Sequence, residues 1–155
     1  MTHGLCPKHL KIYLKEIKAE VQKLLNQTKH FKVLIVEDSA LFRESFTWAL
    51  CQRFPAVEFH GAGDGEEALQ KVETVHPNLI FMDIRLPGES GLELTRKIKT
   101  SHPDILIIIL TSYDLPEYRE AATRYRADYF FSKGSSEAAN IFKLVESILP
   151  PYVPT

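Results

Sequence analysis

Four short apolar runs in this chain each end on a charged or hydroxyl side chain. Val33–Val36 leads into Glu37 and Asp38, Leu79–Met82 into Asp83, Ile105–Leu110 into Thr111, and Asp128–Ser132 into Lys133. Runs this short and this apolar read as strands of a parallel sheet covered on both faces. In an open α/β sheet, ligands gather outside the carboxyl ends of the strands, near the point where strand order reverses. One edge of such a sheet would therefore collect three carboxylates, one hydroxyl and one ammonium. That set suits a divalent cation and a phosphoryl group.

The rest of the chain supports an α/β reading. From residue 33, strand and helix patterns alternate about five times. Leu41, Phe42, Phe46 and Ala49 have helical spacing, and Pro55 blocks continuation beyond about Arg53. Val57–Gly61 reads as a short strand and Glu66–Val75 as a helix stopped by His76-Pro77. Leu92–Ile98 is helical, Pro116 stands near the start of another helix, and Tyr129–Ser132 is the last strand. Ser135 or Ser136 is the expected N-cap of a final helix running to Leu149, where Pro150-Pro151 ends it. The expected organisation is an N-terminal helix in 1–30, one doubly wound domain in 31–150 and a tail in 151–155.

The 155 residues suffice for one domain with a real core. No apolar run approaches the roughly 20 residues that span a bilayer. The start of the chain lacks the apolar segment of a secretory signal, so a cytoplasmic setting is expected. Cys6 and Cys51 are too few for a disulfide framework, and Cys51 falls in a helical pattern where a buried thiol is expected.

The net charge of −1 conceals an asymmetry. Residues 1–32 hold seven Lys and two Glu, whereas the remainder holds 12 basic and 18 acidic residues. An acidic body argues against a DNA-backbone surface, so direct DNA binding is not expected there. Within the basic start, Leu10, Leu14, Ile17, Val21 and Leu24 step by four and three, the seam spacing of a coiled coil. Such a helix, flanked by lysines 8, 11, 15, 18 and 23, is marginal alone. It fits a homodimer, a docked helix on a partner or on its own domain, an acidic membrane surface, or nucleic acid.

Asp83 is the candidate nucleophile, since a strand-end carboxylate can attack phosphorus and form an aspartyl phosphate. Glu37 and Asp38 beside it would repel that charge unless a cation such as Mg²⁺, which takes oxygen ligands, lay between them. Lys133 offers a positive point charge to a phosphoryl oxygen, and Thr111 a hydroxyl. Each of these residues alone is ordinarily structural. Their joint order and placement carry the reading.

Residues 33–149 resemble a response-regulator receiver domain of the CheY-like kind. The matching segments are Val-Glu-Asp-Ser at 36–39, Met-Asp-Ile-Arg-Leu-Pro-Gly at 82–88, Ser-Gly-Leu-Glu-Leu at 90–94, Leu-Thr-Ser at 110–112 and Ala-Asp-Tyr-Phe-Phe-Ser-Lys at 127–133. The resemblance implies a five-stranded parallel sheet in the flavodoxin-like order 2-1-3-4-5. It implies Asp83 as phosphoacceptor for a sensor histidine kinase or phosphotransfer protein. It also implies Mg²⁺ on Glu37, Asp38, Asp83 and the Arg85 backbone carbonyl, with Thr111 and Lys133 contacting the phosphoryl group. Ser112 would leave room for phosphoryl entry, Phe130 would be the aromatic switch, and Arg85 and Tyr113 would flank the path of attacking water. Output would pass to a protein target through the receiver's fourth helix, fifth strand and fifth helix. Such a domain carries out its own phosphorylation chemistry without being a turnover enzyme.

Departures from the usual pattern are informative. Glu37 stands where aspartate is usual, and Phe130 lacks a hydroxyl, so its switching would rest on packing. Gly134 follows Lys133 where proline is usual, which removes the usual support for a cis peptide. The segment 84–88 and the Lys133-Gly134 pair resemble receivers that precede a helix-turn-helix, but the chain ends at Thr155 with no output domain expected. Three other signals are set aside. The glycines at 61, 63 and 65 follow the second strand and lack the dinucleotide fingerprint. His3, Cys6 and His9 lack a fourth ligand. A phosphatase of the haloacid-dehalogenase type needs a second Asp where Arg85 stands.

Overall fold

The computed structural model describes residues 7–29, 31–134 and 137–150. Its elements in chain order are α1 (Pro7–Lys29), β1 (Lys32–Val36), α2 (Ala40–Arg53), β2 (Glu58–Ala62), α3 (Gly65–Val75), β3 (Leu79–Met82), α4 (Gly91–Ser101), β4 (Leu106–Thr111), α5 (Pro116–Arg124), β5 (Tyr129–Ser132) and α6 (Ala138–Ile148). The strands form one parallel sheet in the order β2-β1-β3-β4-β5. This is the expected doubly wound α/β architecture.

Period-two alternation divides each central strand between two cores. Leu34, Val36, Ile80, Met82, Ile107 and Ile109 face Ala68, Val72, Leu94, Ile98 and Ala122 of α3, α4 and α5. Val33, Ile35, Leu79, Phe81, Ile108 and Leu110 face Leu50, Ile141 and Val145 of α2 and α6. Each such buried side chain contributes about 1.5–3 kcal/mol relative to exposure. The two-sided burial explains why these strands read as continuous apolar runs.

Local chemistry fixes where the helices begin. Ser39 Oγ accepts from Phe42 N–H, Asp64 Oδ1 from Glu67 N–H, and Ser90 Oγ from Leu92 N–H. These bonds satisfy amide donors that a helix start leaves unpaired. At the other end of α3, His76 takes the left-handed conformation (φ 55°) before Pro77.

Some expectations are corrected. Ser135 and Ser136 lie outside the described residues, and the position preceding α6 is Glu137, which makes no side-chain cap bond. β4 runs from 106 to 111 rather than 105 to 110, because Ile105 N–H turns back to the His102 carbonyl. Cys51 is half-buried and free, not fully buried, because it lies at the edge of the face that α2 turns to the sheet. Among the described residues there is no cis peptide, and no helix is long and apolar enough to cross a membrane. The seam residues Leu10, Leu14 and Ile17 are exposed, so α1 does not bury them on its own domain.

Candidate phosphoryl and metal site

Backbone hydrogen bonds carry the sheet ladder one residue past the strands. Val36 pairs with Met82 in the β1–β3 register, and Asp83 N–H then donates to the Val36 carbonyl (3.0 Å). Glu37 N–H donates to Ala62 O (2.9 Å), and Lys133 N–H to Thr111 O (2.9 Å). The order β2-β1-β3 reverses between β1 and β3, and the reversal opens a crevice at their carboxyl ends. Glu37 and Asp83 stand at that crevice by register, not by loop accident.

The side chains converge. Lys133 Nζ lies 2.5 Å from Glu37 Oε2 and 2.9 Å from Asp83 Oδ2. The other oxygen of each carboxylate accepts a backbone amide, Ser39 N–H at 3.0 Å for Glu37 and Ile84 N–H at 2.7 Å for Asp83. Glu37 and Asp83 are buried at 3% and 6% exposure, while Asp38 is open to solvent. Ligand atoms of Glu37, Asp38 and Asp83 lie within 4.8 Å of one another. The sequence expectation of one carboxylate cluster thus holds geometrically, and Glu37 joins it in spite of its extra methylene.

The electrostatics follow from crowding. Burial pushes Glu37 up to about 7, with Lys133 and the Ser39 amide pulling down and Asp83 pushing up. Burial works against the charge on Lys133, but its bonds to Glu37 and Asp83 outweigh that and raise its pKa. Three carboxylates face a single ammonium, which leaves a negative excess in a partly desolvated crevice. An all-oxygen donor set with excess charge is the chemistry that a hard divalent cation fits.

The remaining predicted residues lie on β4, on β5 and in the loops that follow β3 and β4. Thr111 is wholly buried, and its Oγ1 accepts from Tyr113 N–H at 3.2 Å. The hydroxyl thus serves its own loop in this structure. Ser112 is exposed, directly after β4. The Arg85 guanidinium lies 3.9 Å over the Tyr113 ring, so the two residues expected to flank the water path touch each other. Half-buried Phe130 packs against the α3–α4–α5 core, with the Arg119 guanidinium 4.6 Å over its ring. Arg119 is held in turn by a two-pronged pair with Asp114 (2.5 and 3.0 Å).

Sequence reasoning missed two supports of the site. Arg43 donates from α2 to the Glu37 carbonyl at 2.5 Å. As a helix-surface arginine it carried no signal. Gly91 is buried as the first residue of α4, and a Cβ there would fall 1.8 Å from the Asp83 carbonyl oxygen. Its signal was present in the Ser-Gly segment at 90–91, but no role had been attached to it.

Comparison with known proteins agrees with this geometry. Residues 33–146 match the family model described as the response regulator receiver domain. The response regulator GacA of Pseudomonas syringae pv. syringae is 33% identical over 118 residues, covering 76% of this chain and 53% of GacA. The oxygen regulatory protein NreC of Staphylococcus carnosus is 38% identical over 107 residues, covering 68% of this chain and 49% of NreC. The chain therefore spans about half the length of these relatives. Among solved structures, the response regulator TrrA of Thermotoga maritima in complex with Mg²⁺-BeF superposes with a TM-score of 0.66 at 31% identity, covering 75% of this chain and 97% of that one.

Proposed function

The chain belongs to the response regulator receiver family, and from that premise we propose that Asp83 accepts a phosphoryl group from a sensor histidine kinase or phosphotransfer protein. One observation carries the assignment to Asp83: the Lys133 ammonium bridges Glu37 and Asp83 at the β1–β3 reversal. An Asp83 carboxylate oxygen attacks phosphorus, a P–O bond forms, and the P–N bond to the donor imidazole breaks. The imidazole nitrogen leaves with the bond's electron pair. Glu37, Asp38 and Asp83, completed by the Arg85 carbonyl, would hold Mg²⁺, which supplies charge neutralisation for the phosphoryl oxygens. Lys133 then exchanges a carboxylate partner for a phosphoryl oxygen.

Signal transfer rests on Thr111 and Phe130. When the Thr111 hydroxyl turns to the phosphoryl group, the Tyr113 amide loses its acceptor and the loop to α5 is released. Phe130 moves by repacking, and Arg119 leaves its ring. The protein target would read α5, β5 and α6, the receiver's own fourth helix, fifth strand and fifth helix. The chain acts as a self-modifying phosphoacceptor, not as an enzyme turning over a small substrate.

Acetyl phosphate with Mg²⁺ is expected to add one phosphoryl group to the wild-type chain and none to Asp83→Asn, read by intact mass. Equal labelling of both proteins, or of neither, would reject Asp83. Labelling of neither would favour a receiver-shaped scaffold that works unphosphorylated.

Arg85 and Tyr113, in the loops that follow β3 and β4, stack on each other, so they should control hydrolysis as a unit. Arg85→Ala and Tyr113→Ala are each expected to change the decay of the aspartyl phosphate severalfold. The double variant should change it little further, since contacting residues are not additive. Decay measured by loss of label decides this, and unchanged decay in all three variants would remove both residues from the mechanism.

A further inference from the structure

The first part of the α1 seam is uncovered, and Val21 beyond it is half-buried. Leu10, Leu14 and Ile17 are 45%, 48% and 41% exposed, and every residue from 7 to 20 is exposed. Among the described side chains, none from α1 joins either apolar core. A 23-residue helix of this composition gains little from propensity alone, so its stability depends on burying that stripe.

The arrangement of charge around the stripe selects the occupant. In heptad terms Leu14 and Val21 take position a, with Leu10, Ile17 and, by spacing, Leu24 at position d. No seam position carries a charge. Lys11 and Lys18 occupy the e edge, Tyr13 and Glu20 the g edge, and Glu16 lies behind that second edge. An anionic lipid surface favours cations along both polar borders of the apolar face, and here one border sets Glu16 and Glu20 beside Lys23. In an antiparallel pair, e edges meet, and Lys11 would oppose the partner's Lys18. In a parallel pair, e meets g, and Lys18 faces the partner's Tyr13, an ammonium against an aromatic ring. Like charges across an interface select against the first arrangement.

We propose that α1 is a dimerisation element through which two copies of this chain form a parallel two-stranded coiled coil along Leu10, Leu14, Ile17 and Val21. The proposal goes beyond the phosphoryl chemistry and does not depend on it. α1 ends at Lys29 and β1 begins at Lys32, so the coil tethers two receivers closely. Each receiver then meets the other at high effective concentration, whatever face it uses.

Sedimentation equilibrium of the full chain, without activator, over a wide concentration range tests this. The expected mass approaches twice that of one chain as concentration rises. Leu14→Lys combined with Ile17→Lys should give a monomer whose receiver still melts as the wild type does. Ile12→Lys, on the outer face, should leave the dimer intact. In a Cys6→Ser, Cys51→Ser background, Leu10→Cys should cross-link under mild oxidation, because only a parallel pair brings position 10 to its own mate. A wild-type chain that stays monomeric, or a double variant that still dimerises, overturns the proposal. Absence of the Leu10→Cys cross-link in a dimer overturns the parallel arrangement. A monomeric chain that sediments with phosphatidylserine vesicles would assign the stripe to a membrane instead.

Discussion

Lys133→Met should lower the stability of the metal-free protein by about 2–3 kcal/mol and make the remaining stability strongly dependent on Mg²⁺. Lys133 supplies the ammonium that bridges Glu37 and Asp83, both buried. Removing one member of a buried charge set strands the others without compensation. The figure lies below that for a fully enclosed pair because the Lys133 side chain keeps 15% of its surface in solvent and water can reach the gap. Methionine retains the length of the stem and much of its contact with Phe42, over whose ring the ammonium lies at 4.3 Å. The lost quantity is therefore chiefly charge. A divalent cation restores positive charge among the same carboxylates, so the difference from wild type should narrow as Mg²⁺ is titrated. The variant should also bind Mg²⁺ more tightly, since no ammonium competes for Glu37 and Asp83. Thermal melts with and without Mg²⁺ test both statements. A stability difference unaffected by Mg²⁺ would mean that the three carboxylates are not the metal site. Labelling by acetyl phosphate should fall at least tenfold even in saturating Mg²⁺, since Lys133 is assigned a phosphoryl oxygen as well.

The sheet was legible because its strands are buried on both faces, so β1 and β3 stand out as unbroken apolar runs. The acceptors were legible for a related reason. Glu37, Asp83 and Lys133 each interrupt such a run, and a sheet edge is where parallel strands can carry polar groups together. Strand ends were less certain where burial and hydrogen bonding diverge: Val57 is buried yet precedes β2, and Ile105 is buried yet lies in a turn. Reach across elements was not legible. Lys99 looked like any helix-surface lysine, but it is buried on α4 and pairs with Asp128 at 2.7 Å, while the same carboxylate accepts Ile107 N–H. Arg43 and the Arg85–Tyr113 stack belong to the same class. Lys99 and Asp128, like Arg85 and Tyr113, are distant in sequence, and Arg43 reaches back beyond the start of its own helix to Glu37, so no local pattern encodes these contacts.

Gly91→Ala should disable the site without touching a polar group. Gly91 N–H donates to the Ile84 carbonyl at 2.8 Å, which fastens the first residue of α4 directly to the phosphoacceptor loop, while the buried Thr95 hydroxyl closes the first turn of the helix on the Gly91 carbonyl at 2.8 Å. A Cβ at position 91 would lie 1.8 Å from the Asp83 carbonyl oxygen, 2.8 Å from the Asp83 carbonyl carbon and 3.0 Å from Met82 Cγ. The first two atoms are backbone, with no rotamer to move aside. Either α4 lifts or Asp83 is displaced, at a cost of about 3 kcal/mol, the upper part of the range for overpacked interiors. Gly88→Ala provides the matched control in the same loop. Gly88 has φ of 81° and open space around its missing Cβ, so alanine there meets backbone strain of about 1–2 kcal/mol but no collision. Both variants should melt below wild type, Gly91→Ala the further. Their labelling should separate more sharply than their stability: Gly88→Ala is expected to accept phosphoryl from acetyl phosphate within about twofold of wild type, and Gly91→Ala at least tenfold less, a difference of about 1.4 kcal/mol or more in the barrier. Equal labelling of the two folded variants would show that Asp83 tolerates a shift of its backbone, and close packing by Gly91 would then serve stability alone.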